Sequence, residues 1–284
     1  MKFLRVKTLV NTGTLAMFLM DNNLVTVPTL TYVGIAKYPL IALPMFVLVG
    51  SVFDRSGVAA RLVRFATAVI GAGRGALASV AVLVAMVMGG ISGSSSATSA
   101  AIGKAITGSM VRDGYPRSFI AATVSASASI DILIPPSIAL IIYSVLTPGV
   151  SVPAIFAAGL FPGILAGLLM LIPILVISRL KGFGGKIRSA EGPDAERIGL
   201  WKSFKEAFWG LMAPVVILGG MRIGLFTPTE AAIVAVFYGL FIGFVIYRTL
   251  KWRDVYEMLV EAGELSAIIL IVVGLASIFA WVTS

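Results

Sequence analysis

Long apolar runs dominate this chain. They lie at 39–53, 75–91, 119–146, 152–178, 207–225, 229–248 and 263–282, with a degenerate run at 8–20 that Asp21-Asn22-Asn23 cuts short. A helix needs about 20 apolar residues to cross the hydrocarbon core. The pattern therefore predicts an all-α, polytopic helical membrane protein. Charged residues make up only 12% of the chain, too few to clothe a water-facing surface. The net charge of +9 raises nucleic acid as a partner. Lys and Arg fall between the apolar runs, however, where cytoplasmic loops carry them. The expected surrounding is the lipid bilayer, with no nucleic acid. These 284 residues hold no Cys and no His, which removes thiolate metal sites and the commonest general base. No small-residue cleavage site follows Lys2, Arg5 and Lys7, so a removed signal peptide is not expected.

Basic residues set the orientation. Segment 179–205 carries seven of them, including Arg179, Lys181, Arg197 and Lys205, and belongs in the cytoplasm. Run 207–225 then leaves, and 229–248 returns to Arg248, Lys251 and Arg253. Run 152–178 enters from outside, 119–146 leaves from Arg112 and Arg117, and 39–53 runs inward to Arg55, Arg61, Arg64 and Arg74. Residues 55–72 predict an amphipathic helix along the inner interface. Trp201, Trp209, Trp252 and Trp281 fall near membrane edges, as interfacial anchors do.

One stretch breaks the alternation. Arg74 and Arg112 both belong inside, yet 75–111 between them is apolar. Its middle reads Gly89-Gly90-Ile91-Ser92-Gly93-Ser94-Ser95-Ser96. A re-entrant hairpin buried in protein fits this polar tip, because bare non-helical backbone is not tolerated against lipid. Two short complete spans joined by a polar turn are the alternative. Further on, Ile134-Pro135-Pro136 sits at the centre of run 119–146. Two prolines remove donors and push residue 134 out of helix. Carbonyls near 131–134 then lose their partners and become free for a cation.

These elements define a candidate solute site, since half-helix ends near the midplane are the usual construction of secondary-transporter sites. Ser92, Ser94, Ser95, Ser96 and Thr98 cluster at the hairpin tip, and one of them is expected to cap the helix that continues to Met110. A helix N-terminus suits a carboxylate, so Ser94, Ser95, Ser96 and Thr98 are candidate substrate contacts. The bland reading is that small residues merely let helices pack closely. Asp131 carries the most information. A carboxylate deep in a bilayer costs about 2.5–3.5 kcal/mol on insertion scales, so it needs a partner: a cation, Lys104, or a proton. Gly90-Ile91-Ser92-Gly93 also has the form of a nucleophile motif, and a Ser92–Lys104 dyad would make an intramembrane hydrolase. The tetrapeptide is a weak signal in a chain this rich in Gly and Ser.

Together, Gly90-Ile91-Ser92-Gly93-Ser94, Ile134-Pro135-Pro136-Ser137-Ile138, Ala158-Gly159-Leu160-Phe161-Pro162-Gly163 and Gly224-Leu225-Phe226-Thr227-Pro228-Thr229-Glu230-Ala231-Ala232 resemble the large membrane subunit (DctM-like permease) of TRAP, or tripartite ATP-independent periplasmic, transporters. Order and spacing agree over roughly residues 28–284. The resemblance implies an elevator-type transporter with an inverted repeat, in which Na⁺ drives uptake of a small organic acid such as a C4-dicarboxylate or sialic acid across the bacterial inner membrane. It implies a periplasmic solute-binding protein and a small TRAP membrane subunit as partners, no cofactor beyond the coupling ion, and no enzymatic activity. Carried over, a Na⁺ site falls on Ser92, Asp131, Ile134 and Pro136.

Two departures from the family pattern stand out. The family usually has Gly-Pro where this chain has Asp131-Ile132, and an acidic group there implies tighter Na⁺ binding or proton coupling. Run 263–282 is also the expected counterpart of 39–53, but no second hairpin or double-proline segment follows it. The second repeat reads as incomplete, with the C-terminal third of the family's length missing. The division expected is an N-terminal scaffold and arm helix (1–74), a transport-domain half (75–147, with hairpin 75–111 and broken helix 119–146) and scaffold helices with the cytoplasmic loop (148–284). A non-transporting remnant of such a subunit is the alternative.

Overall fold

The computed structural model describes residues 26–147, 149–185 and 199–283. The degenerate run at 8–20 and most of the basic loop, 186–198, lie outside them. Every regular element described is helical. Helix α1 spans Thr26–Ile35, and a 3-10 turn at Tyr38–Ile41 leads into α2, Ala42–Arg55. Helix α3 covers Val58–Ile70. The hairpin is α4, Ala76–Ser92, followed by α5, Ser95–Arg112. The broken helix comprises α6, Arg117–Ala128, a 3-10 turn at Ser129–Ile132, and α7, Ile138–Leu146. Helices α8, Val152–Leu180, and α9, Leu200–Arg222, flank the basic loop. Helix α10, Pro228–Phe241, is prolonged by a π-turn at Ile242–Ile246, and α11 covers Trp252–Thr283.

Five of these stretches are long and apolar enough to cross a membrane: Tyr38–Arg55, Val152–Leu180, Leu200–Arg222, Pro228–Ile246 and Trp252–Ile278. The hairpin arms differ. Helix α4 has 17 residues and α5 has 18. At 1.5 Å per residue each rises roughly 26 Å, short of the hydrocarbon thickness. Run 263–282 proves to be the later part of a longer helix. The turns from Trp252 to Glu261 carry charge and so fall outside a hydropathy window, but nothing in them breaks a helix.

Helix α4 lies at the centre. Most of its residues are buried, among them Val80, Val84, Met88 and Ile91, and it packs on α2, α3, α5, α6, α8 and α9. Small residues set the outer crossings, as is common where lipid supplies no hydrophobic drive between helices. A Cβ at Gly274 would lie 2.9 Å from Thr31, and one at Gly210 would lie 2.7 Å from Val58. Helix α8 turns Phe161, Leu168, Leu169 and Ile172 outward, the apolar face that a lipid-contacting helix requires.

Side chains that the basic-residue argument assigns to one side of the membrane do meet. Arg55 pairs with Glu257 at 2.8 Å and Glu261 at 3.3 Å, and Arg64 pairs with Glu206 at 3.2 Å. Thr249 Oγ1 donates to the Ser56 carbonyl at 2.8 Å. At the hairpin base, the Gly75 N–H donates to the Tyr115 hydroxyl at 3.0 Å, and the Gly185 N–H donates to Asp113 Oδ2 at 3.1 Å. The partly exposed ion pairs add little stability, but with the buried hydrogen bonds they fix which helix ends lie together.

Candidate functional site

Helix α4 ends because Gly93 takes a left-handed conformation, φ 56°, which glycine adopts without steric cost. Position 93 admits no side chain. A Cβ there would lie 2.9 Å from Ser137 Cα and would collide with the Pro136 carbonyl. The hairpin tip thus rests backbone-to-backbone on the segment just after the double proline. Gly89, one turn earlier, lets Asp131 approach: a Cβ there would lie 2.9 Å from Asp131 Oδ1.

The broken helix unwinds as its prolines require. The Ile130 carbonyl accepts the N–H groups of both Leu133 and Ile134, at 2.9 and 3.2 Å. Among the described residues, the carbonyls of 131–134 accept no backbone N–H. Ile134 is buried against α8. The peptide bond Pro135–Pro136 is cis. Helix α8 covers the break with two glycines one turn apart. A Cβ at Gly159 would lie 2.8 Å from the Leu133 carbonyl oxygen, and one at Gly163 would lie 3.2 Å from the Ile134 nitrogen. Sequence reasoning quoted these glycines for their resemblance but missed their role. Their i, i+4 spacing, which puts both on one helix face, was the available signal.

Asp131 is fully buried, and neither carboxylate oxygen has a hydrogen-bond partner of good geometry among the described residues. The hydroxyls of Ser92 and Thr98 lie beside it and are bonded to each other at 3.1 Å. Both residues are completely buried. The hydroxyls of Ser95 and Ser137 are also buried without a partner; Ser137 was not singled out from the sequence. The tip and the break therefore bring together Ser92, Thr98, Asp131 and the Pro136 carbonyl, whereas the Leu133 carbonyl faces Gly159 of α8. These are hard oxygen donors of the kind alkali and alkaline-earth cations take. The magnitudes decide what the site needs. A hydroxyl–hydroxyl hydrogen bond returns about 1 kcal/mol, whereas a buried, unpaired carboxylate costs several. A cation or a proton on Asp131 would offset that cost.

One open alternative is ruled out and one expectation is corrected. Lys104 does not partner Asp131: it is exposed, and the acidic group whose charge it influences is Asp54. Ser92 and Lys104 consequently form no dyad. Ser94 does occupy the cap position of α5, but its side chain accepts no helical N–H. Its hydroxyl pairs instead with that of exposed Ser96, at 3.2 Å. The first turn of α5 therefore keeps N–H groups that no side chain caps. Beside the break, a cavity of about 370 Å³ is walled by Pro135, Phe156, Leu160, Leu218 and Arg222.

The profile of the tripartite ATP-independent periplasmic transporter DctM component matches residues 3–284. The C4-dicarboxylate TRAP transporter large permease protein DctM of Pseudomonas aeruginosa is 40% identical over 248 residues, covering 86% of this chain and 56% of that protein. The sialic acid TRAP transporter large permease protein SiaM of Vibrio cholerae is 35% identical over 251 residues, covering 88% and 57%. The 2,3-diketo-L-gulonate TRAP transporter large permease protein YiaN of Escherichia coli is 35% identical over 271 residues, covering 95% and 62%. The chain thus spans somewhat more than half the length of these relatives. It is an integral membrane protein that belongs to the DctM component family of tripartite ATP-independent periplasmic transporters.

Proposed function

We propose that this chain supplies the hairpin, the broken helix and scaffold helices of a Na⁺-coupled permease that imports a small organic anion across the bacterial inner membrane. One observation carries the reading: among the described residues Asp131 is buried without a counter-ion, with only the Ser92 and Thr98 hydroxyls beside its carboxylate, where the hairpin tip meets the double-proline break. Na⁺ would be held by the Asp131 carboxylate, the Ser92 hydroxyl and backbone carbonyls around Ile134 and Pro136. The substrate carboxylate would be met by the uncapped start of α5, with Ser94, Ser95 and Ser96 at hand. Thr98 is enclosed beside Ser92, which suits support of the cation better than contact with solute. The relatives that carry C4-dicarboxylates, sialic acid and diketogulonate in their names support a small organic acid as the solute.

In this reading residues 75–147 move as part of an elevator against a scaffold that includes α1–α3 and α9–α11. A periplasmic solute-binding protein delivers the solute, and a small membrane subunit braces the scaffold. The test is uptake by proteoliposomes that hold the chain with the remaining permease parts and both partners. Uptake should require an inward Na⁺ gradient. Uptake of equal rate without Na⁺, driven by a proton gradient, would overturn Na⁺ coupling and leave Asp131 as a proton carrier.

A further inference from the structure

A basic, aromatic-rimmed cavity lies between α3, α9 and the end of α10. Its volume is about 390 Å³, and its walls are Arg61, Arg64, Lys205, Glu206, Trp209 and Tyr247. These come from α3, from the first turns of α9 and from the end of α10. Charge distribution along the sequence assigns all three to the cytoplasmic face. Three cations oppose the single carboxylate of Glu206, which pairs with Arg64. Among the described residues Arg61 makes no ion pair of its own, and Glu206 acts on it only from a distance. Its guanidinium carbon sits 3.7 Å from the centre of the Tyr247 ring, and its Nη1 donates to the Gly57 carbonyl at 3.0 Å. Tyr247 is in turn held by its hydroxyl, which donates to the Glu206 carbonyl. Burial pushes the Arg61 guanidinium down from its usual range, opposed by Tyr247 and Glu206 and reinforced by the Arg64 charge. A bound anion would relieve that crowding. Lys205 reaches over the Trp201 ring at 5.4 Å and is exposed.

The surroundings identify the depth. Trp201, Phe204, Phe208, Trp209 and Phe241 follow one another ring on ring, with centroids 5.7–6.4 Å apart. The exposed indoles in this row, Trp201 and Trp209, are the side chains that favour the headgroup level of a bilayer. A pocket of two arginines and a lysine at that level, between helices on the cytoplasmic side, has the chemistry that receives an anionic lipid headgroup. Arg supplies the planar fork for phosphate oxygens, and Lys a mobile point charge at the rim.

We infer that the cavity between α3 and the start of α9 binds the phosphate of an anionic phospholipid, with Arg61 and Lys205 as its principal contacts and Arg64 shared with Glu206. The bound lipid would tie the arm helix α3 to α9 at the inner surface.

The test uses the purified full chain in detergent, with native mass spectrometry reading retention of dioleoylphosphatidylglycerol, dioleoylphosphatidylcholine or inorganic phosphate. Phosphatidylglycerol should be retained in preference to phosphatidylcholine, and inorganic phosphate should not displace it at equal concentration. Arg61→Gln and Lys205→Gln should each weaken retention about five-fold, the equivalent of about 1 kcal/mol per cation near a membrane surface. Glu206→Gln should strengthen it, a gain that misfolding cannot imitate. Equal retention of the two lipids, or retention unchanged in all three variants, would overturn the site. Displacement by inorganic phosphate would overturn the lipid as its occupant.

Discussion

Asp131 and Gly93 make opposite demands on their surroundings. Asp131 has no counter-ion among the described residues, so its neutral amide analogue should fold at least as well in the absence of cation. A ligand that binds only the folded state stabilises it by RT ln(1 + [L]/Kd). Wild-type protein should therefore melt at rising temperature as NaCl replaces choline chloride, and Asp131→Asn should lose most of that rise. A melting curve for Asp131→Asn that still climbs with Na⁺ as the wild type does would remove the carboxylate from the cation site. Gly93 has no room to spare. Gly93→Ala combines a left-handed backbone with a collision at Pro136, and conformational strain alone is on the order of 1–3 kcal/mol. Gly108→Ala provides the control. It lies within α5, its added Cβ meets nothing within 4 Å, and a helix interior favours Ala over Gly by about 0.8–1.0 kcal/mol. Thermal unfolding should rank Gly108→Ala at or above wild type and Gly93→Ala well below.

At the scale of the element, the features readable from sequence were those that depend on a residue and its chain neighbours. The Pro135-Pro136 pair broke its helix because proline acts on its own turn. Gly224-Leu225-Phe226-Thr227-Pro228-Thr229-Glu230 likewise encodes a helix start. Thr227 Oγ1 accepts the Glu230 N–H at 3.3 Å, Glu230 Oε2 accepts the Thr227 N–H at 2.8 Å, and Pro228 occupies the first turn. This capping box satisfies two end donors reciprocally. Thr227→Ala should cost about 1 kcal/mol, and Thr227→Ser should cost much less. The check is chemical denaturation in mild detergent, with equal stability of Thr227→Ala and wild type as the contrary result. Features that depend on contact across the chain were not readable. Ser94 had the right identity and position for a cap, yet its hydroxyl bonds Ser96. Lys104 had the right sign for Asp131 but points elsewhere. The glycines of α8 make sense only once Leu133 and Ile134 are seen against them.

At the scale of the molecule, the orientation rests on the placement of Lys and Arg, and the contacts between helix ends are consistent with it. Arg55, Ser56, Arg64, Glu206, Thr249 and Glu257 belong to segments far apart in sequence, yet they meet at one end of the bundle. An error in one span would have placed some of these groups a full membrane thickness apart. The argument yields a direct prediction, because the chain has no Cys and any introduced thiol reports without background. Leu225 is 66% exposed in the turn between α9 and α10, and Lys181 is exposed just beyond α8. Between them runs one crossing, α9. In intact cells, a membrane-impermeant maleimide should label Leu225→Cys, and it should label Lys181→Cys only after the inner membrane is opened. The reverse pattern would invert the whole topology and carry the phosphate cavity to the periplasmic leaflet. Labelling of both in intact cells would mean that α9 does not cross, and the fold could not then enclose Asp131 within the bilayer.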